Sequence, residues 1–369
     1  MAANDLNTPL YGKVRTASMR RSVLATAIIA TSISVALIAA VWVAVVDDPD
    51  GGRPVAVAII RDAAPTATGS LTDPQGGYDA AMLDPRYDAD TGAGDGLELA
   101  GLPIIRGDGS VPTALLEPSA FGPLPRVAPD GRRPRDVYAR RAPAVPDGVP
   151  RVVIVVGGMG LSQTGTQKAI EALPEDVTLA FAPYGSSLQR WVEKARAEGH
   201  EALLQIPLEP QGYPEENPGE HTLTTSDQRA AAEDLAWALG RMTSYAGVMN
   251  YMGGRFLGDE DALVPFLGEI GARGLFYLED GSSPESLADS VGTALGVPVV
   301  TADLIVDQVR APEAIEQELM ALEAIARTNG LAVGVASAFP VSVEQIARWA
   351  EGASSRGVAI VPASAALPP

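Results

Sequence analysis

The chain has 369 residues and a formal net charge of −19 at pH 7, which argues against a nucleic-acid partner because phosphates would be repelled. The absence of cysteine excludes disulfide bonds, thiolate nucleophiles and cysteine-ligated metals. Only two histidines are present, His200 and His221, so few imidazoles are available for catalysis or zinc ligation. The length is sufficient for one sizeable core with additional segments.

A hydrophobic segment near the start of the chain predicts a transmembrane helix. Residues 23–46 form an uncharged apolar run that is long enough to cross a bilayer. Basic residues lie before it, within residues 1–22, and acidic residues follow it, which predicts a cytoplasmic N-terminus. A cleaved signal peptide is the alternative, but its apolar region normally spans about 7–15 residues, so a signal anchor is favoured.

Residues 47–150 predict a disordered linker. The first part of this segment is rich in Asp, Gly, Pro and Ala and has few aromatic residues, so it cannot bury enough apolar surface to offset its ordering entropy. Short apolar pieces such as GLPII (101–105) interrupt it. An arginine cluster at residues 131–142 is either a solvated approach to the folded domain or a contact for anionic polymers or lipid headgroups.

From residue 151 onwards, short apolar runs alternate with amphipathic segments, which predicts parallel strands covered by helices. The number of such units favours a closed or deformed β/α barrel over an open sheet. Thr225 and Gln228 fit a capping box at the start of one helix. The predicted strands are 152–156, 177–182, 202–206, 245–249, 274–279, 298–301, 331–336 and 358–362.

The first of these strands runs into a glycine turn, IVVGGMGLS, which resembles a nucleotide-binding loop only superficially. A dinucleotide fingerprint needs a third glycine where this chain has Gln163, and a phosphate-binding loop needs a lysine that is missing here. The turn therefore does not predict nucleotide binding.

Several strings near predicted strand ends resemble the divergent polysaccharide deacetylase family, the YibQ-like branch of the NodB-type carbohydrate esterases. The resemblance covers about residues 151–365, with the strings in the family's order. They are IVVGGMGLS, LPEDVTLAFAPYG, EGHEALLQIPLEPQGYP, NPGEHTLTT, GVMNYMGGRF, GLFYLEDGSSPESLA, TADLIVDQ and GVASAFP.

The resemblance implies a deformed parallel barrel of the deacetylase type, with its groove at the carboxyl ends of the strands. In such a family a divalent metal, held by one Asp and two His, polarises an N-acetyl carbonyl and activates a water. A separate carboxylate acts as base.

This chain departs from the family at the positions that would hold the metal. Gly157 and Gly158 stand where relatives carry an Asp pair, and Gln205 stands where many carry His. Tyr251 replaces the histidine of an Asn-Asn-His-Met-Gly string, and the last family histidine is missing around Ala336. The resemblance therefore implies a vacated metal and base corner at Gly157 and Gly158, no zinc cofactor and no metal ligands.

Polar residues that remain at predicted strand ends are candidates for a binding cleft, although no catalytic residue is assigned. Their carboxylates would suit Mg²⁺, Ca²⁺ or Mn²⁺ better than zinc, or they cap helices and pair with arginines instead. Tyr184, Tyr213 and Phe339 also lie in predicted strand-end loops, where an aromatic ring could stack on a sugar or simply pack. The candidate cleft residues are Gln205, Glu209, Asn250, Tyr251, Glu279, Asp280, Asp303 and Asp307.

Three functions follow as hypotheses. The first is a pseudoenzyme that binds an envelope glycan or an envelope protein through its former groove. The second is an active envelope polysaccharide N-deacetylase or other hydrolase that uses the remaining carboxylates, and the third is a tethered scaffold. In each case the resemblance and the predicted anchor imply a bacterial inner-membrane protein with one membrane-spanning helix and a periplasmic domain at residues 151–369.

Overall fold

The computed structural model describes residues 113–368. The predicted cytoplasmic segment 1–22, the predicted transmembrane helix 23–46 and most of the predicted linker lie outside the described residues. Within residues 113–368, no helix is both long enough and apolar enough to cross a membrane.

The described chain is built from short strands that alternate with helices. In chain order, the strands are β1 (Leu116–Glu117), β2 (Leu124–Pro125), β3 (Arg151–Met159), β4 (Thr178–Phe181), β5 (Ala202–Leu208), β6 (Gly247–Met252), β7 (Phe276–Glu279), β8 (Val299–Thr301), β9 (Leu304–Ile305), β10 (Leu331–Ser337) and β11 (Ala359–Ile360). The α-helices are α1 (Pro134–Val137), α2 (Gln163–Ala172), α3 (Leu188–Ala197), α4 (Gln228–Leu239), α5 (Glu260–Ala272), α6 (Ala288–Leu295), α7 (Pro312–Asn329) and α8 (Pro340–Ala353).

The strands from β3 onwards form one parallel sheet in the order β8–β7–β6–β5–β4–β3–β10–β9, and β11 adds to the start of β3. The two edges of this sheet come from one stretch of chain, since β8 pairs with β7 while β9, three residues later, pairs with β10. The sheet is therefore curled into a deformed barrel, as the alternation of strands and helices predicts. Each of the eight predicted strands overlaps an observed one, whereas β9 was not predicted.

Side chains alternate between two cores along each strand. In β3, Val153 and Val155 point into the barrel, and Val152 and Ile154 point outwards against the helices. Because both faces are buried, the strands consist almost entirely of apolar residues. The polar exceptions at strand ends are therefore the positions that shape the candidate site.

The prediction of disorder is wrong for residues 113–150. β1 and β2 pair as a hairpin, and Leu115, Leu124 and Tyr138 are buried against the barrel. Composition could not reveal this because the segment has little apolar sequence of its own and is ordered by contacts with distant residues. From the arginine cluster, Arg140 forms ion pairs with Asp176, at 2.9 Å, and with Glu175.

The predicted capping box is also wrong. Asp227 is the N-cap of α4, and its carboxylate accepts from the backbone N–H groups of Arg229 and Ala230 at 3.0 Å each. Thr225 lies outside the helix and binds Glu209 instead. Both residue types suit an N-cap, and the spacing alone does not distinguish them.

Candidate functional site

Gly157 and Gln205 occupy one shared space at the carboxyl end of the barrel. Both point inwards, on β3 and β5, and β4 between them presents the small Ala180 to the interior. The Gln205 Oε1 accepts a hydrogen bond of 2.7 Å from the Gly158 backbone N–H. A Cβ atom at position 157 would lie 2.7 Å from Gln205 Nε2, which is closer than van der Waals contact permits.

The backbone at this corner is shaped for glycine. The pairing of β3 with β4 shifts register between Val156 and Met159, a bulge that redirects the chain just where the glycines lie. Gly158 has a φ of +78°, a backbone conformation that residues other than glycine adopt only at a cost in free energy. Gln205 is 6 % exposed, so the corner is a filled and nearly buried contact.

Glu209 holds the loop that follows β5. Its Oε2 accepts hydrogen bonds from the Thr225 backbone N–H at 2.7 Å and the Thr225 hydroxyl at 3.0 Å. Its Oε1 lies 3.3 Å from Arg255 Nη1. The residue is only 4 % exposed, and these partners occupy both oxygens of its carboxylate.

Asn250 and Asp280 are brought together at the ends of β6 and β7. The Asn250 Oδ1 accepts from the Asp280 backbone N–H at 2.9 Å, and its Nδ2 donates to the Met252 carbonyl at 2.8 Å. Asn250 is fully buried and alternates with the inward-facing Met249, so it faces the helices. The Asp280 side chain accepts from the Ser282 N–H at 2.9 Å and is only half-buried.

Glu279 faces the helices as well, because it alternates with the inward-facing Leu278. Its Oε2 accepts a hydrogen bond of 2.8 Å from the Ser286 hydroxyl. Burial, with a smaller contribution from the negative charges of Asp280 and Asp289, raises the pKa of Glu279 to about 7, although the hydrogen bond from Ser286 acts to lower it. The carboxyl group is thus an unusual acid, but it lies behind the sheet rather than in its mouth.

Asp303 and Asp307 lie at opposite ends of β10. Asp303 accepts from the Val333 N–H at 2.8 Å near the start of that strand, beside the seam between β8 and β9. Asp307 accepts from the Ser337 N–H at 2.9 Å at the strand's end and from the Ser342 hydroxyl at 2.7 Å. The two aspartates therefore do not form one cluster.

The surface around the mouth is apolar and aromatic. Tyr251 and Phe339 are 45 % and 41 % exposed, and Leu161, beside Gly158, is 62 % exposed. The Arg310 guanidinium lies 4.4 Å from the centroid of the Phe339 ring. The sequence predicted Phe339 as a candidate but not Leu161 or the pairing of Arg310 with Phe339, because no local pattern marks either.

The residues of the mouth do not fit a zinc ion. The positions that correspond to family ligands hold glycine, glutamine and tyrosine, which supply neither imidazole nor carboxylate. Across residues 113–368, no three or more His, Asp and Glu side chains are grouped so that they could hold a metal. Both histidines are committed elsewhere. The His200 ring lies between the Val177 and Ile170 carbonyls, and His221 pairs with Asp234 at 2.7 Å.

Comparisons with known proteins agree with the fold. The sequence profile of a family described as divergent polysaccharide deacetylase matches residues 154–367. A crystal structure of an uncharacterized protein from Agrobacterium tumefaciens C58 is 51 % identical, with a TM-score of 0.64, and the alignment covers 66 % of this chain and 99 % of that one. A comparison with curated proteins finds no significant match.

Two further solved structures are more distantly similar. The catalytic domain of a peptidoglycan N-acetylglucosamine deacetylase from Eubacterium rectale ATCC 33656 is 12 % identical, with a TM-score of 0.39 and coverage of 61 % of this chain and 94 % of that one. A mutant of a CE4 family pseudoenzyme with restored enzymatic activity is 9 % identical, with a TM-score of 0.35 and coverage of 59 % and 67 %. Both scores are too low to support an argument about function.

The shared space of Gly157 and Gln205 generates a double-mutant prediction. Gly157→Ala should destabilise the protein by about 1–3 kcal/mol, because the new methyl group displaces Gln205 from the Gly158 N–H. The same change in a Gln205→Ala background should cost at least about 1 kcal/mol less, since the clash is gone. Chemical denaturation of the four proteins measures this coupling, and additive effects would show that the two positions do not compete for space.

The raised pKa of Glu279 predicts a pH-dependent stability. Between the ordinary glutamate pKa of 4.5 and about 7, the folded state binds the proton more tightly than the unfolded state. Stability should therefore fall as pH rises through this window. The loss is up to about 3 kcal/mol, since each tenfold change in proton affinity corresponds to about 1.4 kcal/mol.

Denaturation at pH 4.5, 6 and 7.5 measures the effect as the difference between the wild type and Glu279→Gln, which should lack this contribution. The exposed Glu285→Gln is the matched control and should follow the wild type. Identical pH profiles for the wild type and Glu279→Gln would show that the carboxyl group is not protonated in the folded state at neutral pH.

Proposed function

Because the chain belongs to the divergent polysaccharide deacetylase family, we propose that it is a non-catalytic member that binds an envelope glycan or an envelope protein at the carboxyl end of its barrel. The observation that carries this proposal is the contact of Gln205 with Gly157 and Gly158. A protein hydrogen bond fills the corner where metal-dependent chemistry would require charged ligands and a base.

Metal-dependent deacetylation needs three things at one place. A Lewis acid must polarise the acetyl carbonyl, a bound water must lose a proton, and a carboxylate must accept that proton. In this chain the inward-facing positions of the corner supply an amide and two glycines. Glutamine neither accepts a proton at neutral pH nor carries the charge that a divalent cation favours.

Most of the other candidate carboxylates are held by the fold. Glu209, Asp303 and Asp307 each accept a backbone N–H from another segment, and Glu279 lies on the helix side. Asp280, which is half-buried and follows β7 directly, is the residue on which any remaining hydrolase activity would depend.

The apolar rim supports binding instead of turnover. Tyr251 and Phe339 offer exposed aromatic surface on β6 and after β10, and such rings stack on sugars or pack against protein partners with little loss of side-chain entropy. Arg310 over Phe339 adds a cation to a protein whose net charge is otherwise strongly negative. A binding face of this kind needs no ordered metal.

The location we propose follows from the sequence. Residues 23–46 would anchor the chain in the bacterial inner membrane with its N-terminus in the cytoplasm. The barrel would then lie in the periplasm, close to cell-wall glycans and envelope proteins.

The proposal predicts binding without acetate release. With the full-length chain and insoluble peptidoglycan or N-acetylated chitooligosaccharides, acetate should not rise above the level without protein. Tyr251→Ala combined with Phe339→Ala should weaken retention on the glycan about tenfold or more, as expected when aromatic anchors are truncated. Met320→Ala, an equally exposed apolar residue on α7, is the matched control and should bind like the wild type.

Three outcomes separate the alternatives. Acetate release that disappears in Asp280→Ala would overturn the non-catalytic assignment and favour a hydrolase. If no glycan is retained, the same variants are compared for photo-cross-linking to envelope proteins, where the double variant should lose its partner. Unchanged binding of glycan and protein in the double variant would favour a scaffold that does not use the mouth.

A further inference from the structure

An apolar groove runs between helices α4 and α5 on the outside of the barrel. Its volume is about 300 Å³, and since a cavity of about 150 Å³ accommodates a benzene ring, it has room for two side chains of that size. Leu235, Phe256 and Phe266 form the buried floor, and Ala232 and Pro265 are exposed at the sides. None of the candidate cleft residues lines this groove.

The groove is built into the two helices. Pro265 lies inside α5 and lacks a backbone N–H, so the Asp261 carbonyl loses its normal helical partner. Gln228, the first residue of α4, donates to that carbonyl at 3.1 Å. This hydrogen bond joins the helices at one end of the groove. The alanines of α4 that line the groove have small side chains, which leave it open on that side.

The hairpin of β1 and β2 contacts the other end of the same groove. Glu269 lines the groove and pairs with Arg273 at 2.7 Å, and Arg273 also pairs with Glu117 of β1 at 2.8 Å. At the C-terminal end of α4, the backbone of Gly240 packs closely against Gly122 in the β1–β2 loop. The hairpin that follows Thr113 thus contacts the ends of both helices that form the groove.

We propose that residues 102–105 of this chain, Leu-Pro-Ile-Ile, dock in the groove between α4 and α5. Seven residues lie between Ile105 and Thr113, and the eight Cα–Cα steps can span up to about 27 Å. Helix α5, with its 13 residues, is about 20 Å long. The segment therefore reaches any part of the groove. Burial of its aliphatic side chains against Phe256 and Phe266 supplies the driving force.

Charge supports this occupant over other parts of the chain. Arg106 follows the apolar residues directly and would lie towards the entry end, where Glu269 is still 44 % exposed at its side chain. The apolar piece at residues 56–60 lies more than forty residues before the hairpin.

Disulfide cross-linking tests the proposal cleanly because the chain has no native cysteine. The full-length chain carries Ile104→Cys with Ala232→Cys and is kept in lipid nanodiscs, since detergent could itself fill the groove. Under mild oxidation this pair should form an intramolecular disulfide at least ten times faster than Ile104→Cys with Met320→Cys. Ala232 and Met320 are both exposed on helices, so the control pair differs from the test pair only in the location of its second cysteine.

Equal rates for the two pairs would overturn the proposal. Cross-links found only between molecules would overturn it too, in favour of a second copy as the occupant.

Trypsin cleavage after Arg106 gives a second measurement that needs no cysteine. Docking should protect this bond, and Ala232→Glu should speed its cleavage about fivefold or more by placing a charge in the groove, whereas Met320→Glu should leave the rate unchanged. Equal cleavage rates in the wild type and both variants would contradict docking.

Discussion

Two inward positions at the mouth of this barrel compete for the same space. Gly157 and Gln205 face each other across a strand whose inward residue is only alanine, so a single long side chain fills the space that both could reach. With glutamine in that space, its Oε1 accepts a hydrogen bond from the Gly158 N–H, so the corner is filled by a protein contact. A charged group at position 157 would require Gln205 to leave its partner, so the replacements at the two positions are physically linked.

The remaining polar residues at the strand ends serve the fold first. Glu209, Asp303 and Asp307 each accept a backbone N–H from a segment 16 to 30 residues away, and Asn250 does the same for Asp280. Such groups must be paired when buried, because an unsatisfied carboxylate or N–H is costly. A parallel barrel has irregular loops at this end, so its polar side chains are needed to hold them. That leaves exposed aromatic and apolar side chains as the free surface of the mouth.

Much of the fold could be predicted from the sequence, because fully buried parallel strands produce apolar runs such as that of β3 and because the family strings occur in order. The face of the sheet on which each side chain lies was harder to predict. Asn250 and Glu279 were placed at the right strand ends, but whether a residue faces the barrel or the helices depends on the register, which no local pattern reveals. The order of residues 113–150 was missed for a related reason, since it depends on distant partners such as Arg273 and Asp176.

The central proposal is that a glutamine contact occupies the corner where the family resemblance would place a metal. The most direct test is the thermal unfolding of the full-length chain with saturating Zn²⁺ and with a chelator, because a metal that binds the folded state raises its unfolding temperature. We predict the same unfolding temperature under both conditions. A rise of several degrees with Zn²⁺ that is lost in Asp280→Ala would show that the mouth still holds a metal, and would contradict the account.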